Sequence, residues 1–330
     1  MKKIKVGTIG YGGAFNMGKH HILDMCKNPG FEPAAVCDLD AKRLETAQAD
    51  FPGIQTYTDV GKMLRESDVE LLAIILPHNV HAEVAIQCLK AGRHVVVEKP
   101  FAITVQECDD MIAWAKRKKV VLSTYHNRHW DSNILTIMKH LKAIGRPFRW
   151  ESYAGGHREP REWWRSYKAI SGGIIYDWGA HFCEWMLQAM PFEMTEISGY
   201  QVKEVWKKFT NEDELEAVVR FKPNAVASHV ASDISLAGKD MIRINGTDGA
   251  IVASHGHCDV FVKDKAGQLV KTSVAMVPNQ NSEYYKNVHD HLFHGKKLII
   301  SPEWARRVIQ VLEYAGVSAR KGQSVKAKYK

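Results

Sequence analysis

The chain has only six cysteines, at 26, 37, 88, 108, 183 and 258, and none forms a C-x-x-C pair or a metal-ligand spacing. That excludes a zinc ribbon and a disulfide scaffold, and points to buried, reduced thiols in a reducing compartment. No apolar run is long enough to span a bilayer, and the opening MKKIKVGTIG runs straight into a strand pattern without an h-region or cleavage site. A cytoplasmic protein with no membrane partner is therefore expected. No signature of a nucleic-acid-binding module occurs either, and the formal charge of +8 is scattered rather than gathered on one face. The densest basic run, KRKK at 116–119, follows CDDMIAWA and reads as the solvated C-terminal end of an amphipathic helix. Nucleic acid is excluded as a partner, while a charge of this size still suits a small anionic ligand. There is no internal repeat, and no low-complexity segment beyond the lysine-rich tail KAKYK.

What the chain does have is a clear change of pattern near residue 126. Its 330 residues, at roughly 150 per domain, suggest two domains, and 45% apolar residues supply a sizeable core. Up to about residue 125, short β-branched runs (IKVGTIG, FEPAAVC, ELLAIILP, RHVVVE, VVLSTYH) alternate with amphipathic helices of ten to sixteen residues. That alternation predicts an α/β domain, a doubly wound parallel sheet of Rossmann type over 1–125. Residues 126–330 open with a helix near 132–144. Longer strand candidates follow, separated by turn signals such as Lys222-Pro223-Asn224. They predict an α+β domain with a large, mainly antiparallel open sheet and helices near 177–190, 283–294 and 302–320. The last helix is left free to pack back on the first domain.

Four stretches of the first domain carry chemistry. In GYGGAFNMG, a strand meets glycines and then a helix, the arrangement that cradles a pyrophosphate. Gly10, Gly12, Gly13, Ala14, Phe15 and Asn16 form that loop, and Gly18 comes three residues late for the strict G-x-G-x-x-G spacing, which implies an enlarged loop. Asp38 ends the second strand, where a carboxylate accepts the adenine-ribose hydroxyls and repels a 2′-phosphate, favouring NAD over NADP. The competing reading is a helix N-cap, a task Asp40 serves equally well. In LPHNVHAEVA, Pro77 and Asn79 stand at a strand end, and His81 either packs against the cofactor or sits in the first helical turn. In HVVVEKPFA, Glu98-Lys99-Pro100 places a lysine at the carboxyl end of a buried strand, where it can hold a substrate hydroxyl. A lysine snorkelling on the sheet rim is the alternative.

In the second domain, SGGIIYDWGAHF sets Asp177 and His181 four apart behind paired glycines. Such a pair fits a carboxylate orienting a proton-moving histidine, or more simply a buried helix with a satisfied core histidine. The segment YAGGHREPREWWRSYK offers Tyr153, His157, Trp163, Trp164, Arg165 and Lys168 for stacking on a sugar ring and bonding its hydroxyls.

Taken in order, the glycine loop, Asp38, PHNVHAE, AGRHVVVEKPFA, STYHNRHWD, WWRSYKAISGG and YDWGAH resemble the glucose–fructose oxidoreductase / inositol dehydrogenase / rhizopine-catabolism (Gfo/Idh/MocA) family across essentially the whole chain. The resemblance implies a nicotinamide-dependent dehydrogenase acting on a secondary alcohol or ketone of a sugar, inositol or glycoside. It implies Lys99, Asp177 and His181 as the proton-handling group, with a cis bond before Pro100. It places Glu98, Asn127, Arg128, Trp164 and Arg165 beside the cofactor. His126, Tyr153, His157, Trp163 and Arg165 join Lys99, Asp177 and His181 around the substrate, with the roles of His126 and His129 left open. It implies no metal, and a homo-oligomer, dimer or tetramer, formed through the C-terminal sheet. Two other readings stay open: a redox-neutral glycoside-cleaving enzyme that oxidises its substrate transiently, and a dinucleotide sensor without turnover.

Overall fold

The computed structural model describes residues 3–12 and 15–330, so Gly13 and Ala14 of the glycine loop lie outside the described residues. Two compact units emerge: residues up to His126 together with Ser282–Arg306, and Asn127–Asn281 together with Arg307–Lys330.

The first unit alternates strand and helix as its sequence pattern demands. β1 (Ile4–Ile9), α1 (Met17–Cys26), β2 (Phe31–Cys37), α2 (Ala41–Asp50), β3 (Gln55–Tyr57), α3 (Val60–Glu66) and β4 (Leu71–Ile74) come first. α4 (His81–Lys90), β5 (His94–Val97), α5 (Val105–Lys118) and β6 (Leu122–Thr124) complete the set. The six strands pair in the order β3-β2-β1-β4-β5-β6, all parallel, which is the Rossmann arrangement. β4 is buried along its whole length, as a strand covered on both faces must be. The helices start where their sequences say they should. Thr104 and Glu107 make a reciprocal capping box on α5, and Asp40 and Asp59 cap α2 and α3.

The second unit is built on a nine-stranded sheet. Its elements are α6 (Ser132–His140), β7 (Pro147–Gly155), α7 (Lys168–Ser171), α8 (Gly179–Ala189), β8 (Glu193–Val202), β9 (Glu214–Lys222), β10 (Ala225–Ser232), β11 (Ile242–Gly246), β12 (Gly249–Ser254), β13 (His257–Lys263) and β14 (Leu269–Ser273). After α9 (Glu283–His294), which belongs to the first unit, come α10 (Pro302–Lys321) and β15 (Val325–Lys326). The order is β14-β13-β12-β11-β7-β10-β9-β8-β15, antiparallel except for the parallel β7–β10 pair.

Alternation decides the two faces of this sheet. Trp150 and Ser152 of β7 and His229 of β10 are buried on the face that meets α8, where His229 stacks on Phe182 at 4.8 Å. Arg149, Glu151 and Tyr153 point to the other face, where with Ser228 and Val230 they line an open cavity of about 570 Å³.

Three details depart from the sequence expectation. The tail is not a loose lysine tract: Val325 and Lys326 add an edge strand to β8, and Gln310 Oε1 accepts the N–H groups of Lys328 and Tyr329. The run KDMIRINGTDGAIVAS, a single long strand candidate by its sequence, is two strands, β11 and β12, joined at Thr247-Asp248. The segment that rejoins the first unit is 282–306, carrying α9, while most of the last helix lies in the second. No helix among the described residues is long and apolar enough to cross a membrane.

Candidate functional site

In the first unit the site residues collect at the carboxyl ends of the parallel strands. Gly10 ends β1 with φ +96°, and a Cβ there would lie 2.0 Å from the carbonyl oxygen of Ile75. Only glycine fits that turn. Gly18 repays its late position in the motif: a Cβ on it would meet the Tyr11 ring at 2.6 Å and the Gly10 carbonyl oxygen at 2.9 Å. It is the close-packing glycine between helix and loop, reached after a longer detour that ends at Asn16 in the left-handed region. Around Gly12 a Cβ would touch none of the described residues within 4 Å. With no acid in the first turn of α1, the loop and helix N-terminus fit a dinucleotide phosphate.

Asp38 and Asp40 divide the two tasks that the sequence left open between them. Asp40 caps α2, accepting the Lys42 N–H at 2.9 Å. Asp38 remains at the end of β2, where Oδ2 accepts the Tyr11 N–H at 2.6 Å and Oδ1 the Asp40 N–H at 2.9 Å. Its carboxylate thus ties the glycine loop to the neighbouring strand.

The turn after β4 requires a correction. His81 is fully buried, and its ring nitrogens each lie 2.8 Å from a carbonyl oxygen, those of Pro100 and Leu76. The ring braces the turn against the Glu98-Lys99-Pro100 segment, and this replaces its expected packing against a cofactor. His78 is buried too, and Asn79 is exposed. His126, a candidate substrate neighbour whose role the resemblance left open, is buried at 1% exposure.

Lys99 follows β5 and precedes a cis bond to Pro100. Its N–H is received by Glu98 Oε2 at 2.9 Å, and Glu98 Oε1 lies 3.1 Å from His21 Nε2. His21 Nδ1 in turn lies 2.6 Å from the Tyr285 hydroxyl. The ring thus bridges the Tyr285 hydroxyl and the Glu98 carboxylate. Burial works against ionising Glu98, but His21, the Lys99 charge and the Lys99 N–H outweigh it and hold the carboxyl below its ordinary value. His21 is the residue sequence reasoning missed. Its only local signal is its place on α1, three residues after Gly18.

In the second unit the candidate residues surround the start of α8. Asp177 stands just before the helix rather than on it, and His181 lies in its first turn, buried, edge-on to Trp178 at 5.7 Å between centroids. Asp177 Oδ1 accepts from Arg165 Nη1 at 2.5 Å. The Arg165 guanidinium lies over both Trp163 and Trp164, at 5.2 and 4.9 Å. Arg128 lies over Trp178 at 5.0 Å and pairs with Asp131 at 2.7 Å, and Asn127 opens the same short helical turn. So Trp163, Trp164, Arg165 and Asp177 form one assembly, with His181 one turn along.

Glu212 anchors the glycine turn behind that assembly. It contacts Lys168 and receives the Ile174 N–H at 3.3 Å, which directs Lys168 to a buried carboxylate. His129, whose role the sequence left open, pairs with buried Glu184 of α8 at 2.6 Å. Two sugar-stacking candidates fall elsewhere. Tyr153 lies on the sheet face away from α8 and His181, which corrects its grouping with them. His157 is exposed and bridges to Ile234 beside Trp206.

Beneath α8, burial pushes the His229 imidazole down to about 3. Between that value and the unfolded value near 6.5, the unfolded chain binds a proton the native chain does not. Stability therefore falls as pH drops through this window. Urea unfolding at pH 4 should show a loss of roughly 3 kcal/mol from this residue relative to pH 7. In His229→Gln that part of the acid dependence should vanish; an unchanged acid limb would show that His229 is not the group responsible.

A glycine-turn nucleotide domain joined to an open-sheet domain, with a lysine at a strand end and an Asp–His pair at a helix start, defines a class of oxidoreductase. Two family models match: the oxidoreductase family NAD-binding Rossmann fold over residues 4–126, and the GFO/IDH/MocA C-terminal domain over 139–252. The chain belongs to the Gfo/Idh/MocA oxidoreductase family, whose first domain binds a nicotinamide dinucleotide. It is 24% identical to scyllo-inositol 2-dehydrogenase (NADP(+)) IolW of Bacillus subtilis over 98% of this chain and 95% of that one. It is 34% identical to an uncharacterized oxidoreductase of Schizosaccharomyces pombe over 188 residues, which span 56% of this chain and only 51% of that protein. The fold matches a solved levoglucosan dehydrogenase, in complex with NADH and levoglucosan, with a TM-score of 0.82 at 21% identity, covering 99% of this chain and 100% of that one.

Proposed function

We propose that the chain is an NAD-dependent dehydrogenase that oxidises a secondary alcohol of an inositol, sugar or glycoside. The observation that carries this reading is the Lys99 main chain held by the part-buried carboxylate of Glu98, itself held by His21. A part-buried carboxylate turned to one backbone N–H fixes the lysine that follows a buried strand. Lys99 donates to the carbinol oxygen and favours its deprotonation. His181 takes the proton, and Asp177, set by Arg165, orients it. When bound, the nicotinamide supplies the acceptor for the hydride leaving the carbinol carbon. Trp163 and Trp164, stiffened by Arg165, offer flat faces for a sugar ring. The inositol and anhydro-sugar named for two relatives support a cyclic polyol as substrate.

Asp38 supports NAD over NADP, although the inositol dehydrogenase relative is named for NADP. Its carboxylate stands where a 2′-phosphate would need a cation, and Arg43 leans toward Asp40 at 3.9 Å. We read the sheet face that carries Arg149, Glu151 and Tyr153 as a contact between copies of the chain. A light-scattering mass of one chain would remove that part of the proposal.

The test is absorbance at the NADH band with NAD or NADP, across inositols, free sugars and glycosides, with product analysis alongside. NADH should accumulate with at least one cyclic polyol, and Asp38→Ala should shift the NAD/NADP preference toward NADP. Cleaved glycoside without NADH would instead establish the redox-neutral route. Silence with both cofactors, despite dinucleotide binding, would leave a sensor.

A further inference from the structure

The C-terminal end of α9 gathers three ligating side chains that the oxidoreductase reading does not use. Asp290 and His294 stand four apart and share a helix face. His289 is the buried member, edge-on to Phe31 at 5.6 Å and tilted over Phe293 at 4.6 Å. One ligand atom from each of the three lies within 4.8 Å of the others.

The hydrogen bonding of His289 gives this cluster its direction. Nε2 lies 2.7 Å from the carbonyl oxygen of Pro29, in the turn between α1 and β2. A carbonyl only accepts, so Nε2 carries the proton. On the neutral ring, Nδ1 is then a lone pair, and it faces Asp290 Oδ1 at 3.4 Å. The Lys296 ammonium lies 2.7 Å from Asp290 Oδ2. Lys296 occupies one carboxylate oxygen and leaves Oδ1 turned to the ring. Two lone pairs facing each other require a cation between them, either a proton on Nδ1 or a metal ion. An imidazole whose second nitrogen donates to a backbone carbonyl is also how metal-binding histidines are held in tautomer and orientation.

We propose that His289 Nδ1, Asp290 Oδ1 and a ring nitrogen of His294 form a site for a divalent cation of the zinc type. Water completes the coordination. Two imidazoles and one carboxylate suit Zn²⁺ or its neighbours Co²⁺, Ni²⁺ and Cu²⁺ rather than Mg²⁺ or Ca²⁺. Closing the triangle to bonding distance falls to His294, the exposed last residue of the helix. The ion would pin the end of α9 at the point where His289 already grips the Pro29 turn.

The experiment is calorimetric titration of Zn²⁺ into the metal-stripped full chain, free of any histidine tag, at pH 8. The Co²⁺ visible spectrum and the melting temperature are recorded in parallel. One equivalent should bind, and Zn²⁺ should raise the melting temperature. His294→Gln, a change at an exposed position that leaves the fold intact, should weaken binding roughly tenfold or more and abolish the thermal shift. Asp290→Asn should do the same. Failure of the wild-type chain to bind, or equal affinity in His294→Gln, would overturn the site. In the first case the cation between His289 and Asp290 is a proton; in the second the zinc sits on other histidines.

Discussion

Lys99→Met should lower kcat by about 10²- to 10⁴-fold, the range a positioned proton-handling group supplies, while nicotinamide binding stays within a few-fold of wild type. Methionine keeps the length and apolar stem of lysine and removes only the ammonium group. The Glu98 carboxylate binds the Lys99 main chain, so the strand end should keep its shape in the variant. Single-turnover kinetics with a substrate from the NADH panel, alongside a fluorescence titration of NADH, separates the two effects. Turnover lost together with binding would make Lys99 a cofactor ligand first. Unchanged turnover would remove it from the chemistry.

Gly10→Ala should be strongly destabilising. A side chain at φ +96° is strained, and the new carbon would fall 2.0 Å from the Ile75 carbonyl oxygen, part of the backbone next to β4. Strain and overpacking together cost about 3 kcal/mol or more, equivalent to a fall in melting temperature of roughly 6–12 °C for a domain of this size. Gly12→Ala is the control: its new methyl meets no atom of the described residues within 4 Å. It should melt like the wild type, with weaker dinucleotide binding. A Gly10→Ala protein melting within about 2 °C of wild type would mean the turn is not fixed as described.

Much of this architecture is readable in the sequence because the reading rests on local periodicity. Buried strands such as Leu71–Ile74 are continuous apolar runs, and helix starts such as Thr104 to Glu107 carry their own caps. Asp38 and Lys99 are legible for the same reason: a polar residue ending an apolar run in a parallel sheet must stand at the crevice rim. What escapes is pairing at a distance. His21 meets a partner 77 residues away and His129 one 55 residues away, and neither neighbourhood hints at the other. Buried His81 and exposed Asn79 sit in the same short turn, and only the carbonyl groups of Leu76 and Pro100 decide which of them faces inward. Strand β15 escapes because two residues within a basic tail carry no alternation to read.

The return of segment 282–306 to the first unit has a consequence for biosynthesis. Tyr284 donates to Ser123 Oγ at 2.8 Å, and Ser123 donates to the carbonyl oxygen of Ile300 at 2.8 Å. Tyr285 reaches His21 at 2.6 Å. A nascent chain that has emerged only as far as His126 carries these partners unsatisfied, in an interior missing one wall. The nucleotide domain, first to leave the ribosome, therefore waits until strands β7–β14 have been translated before its last segment arrives.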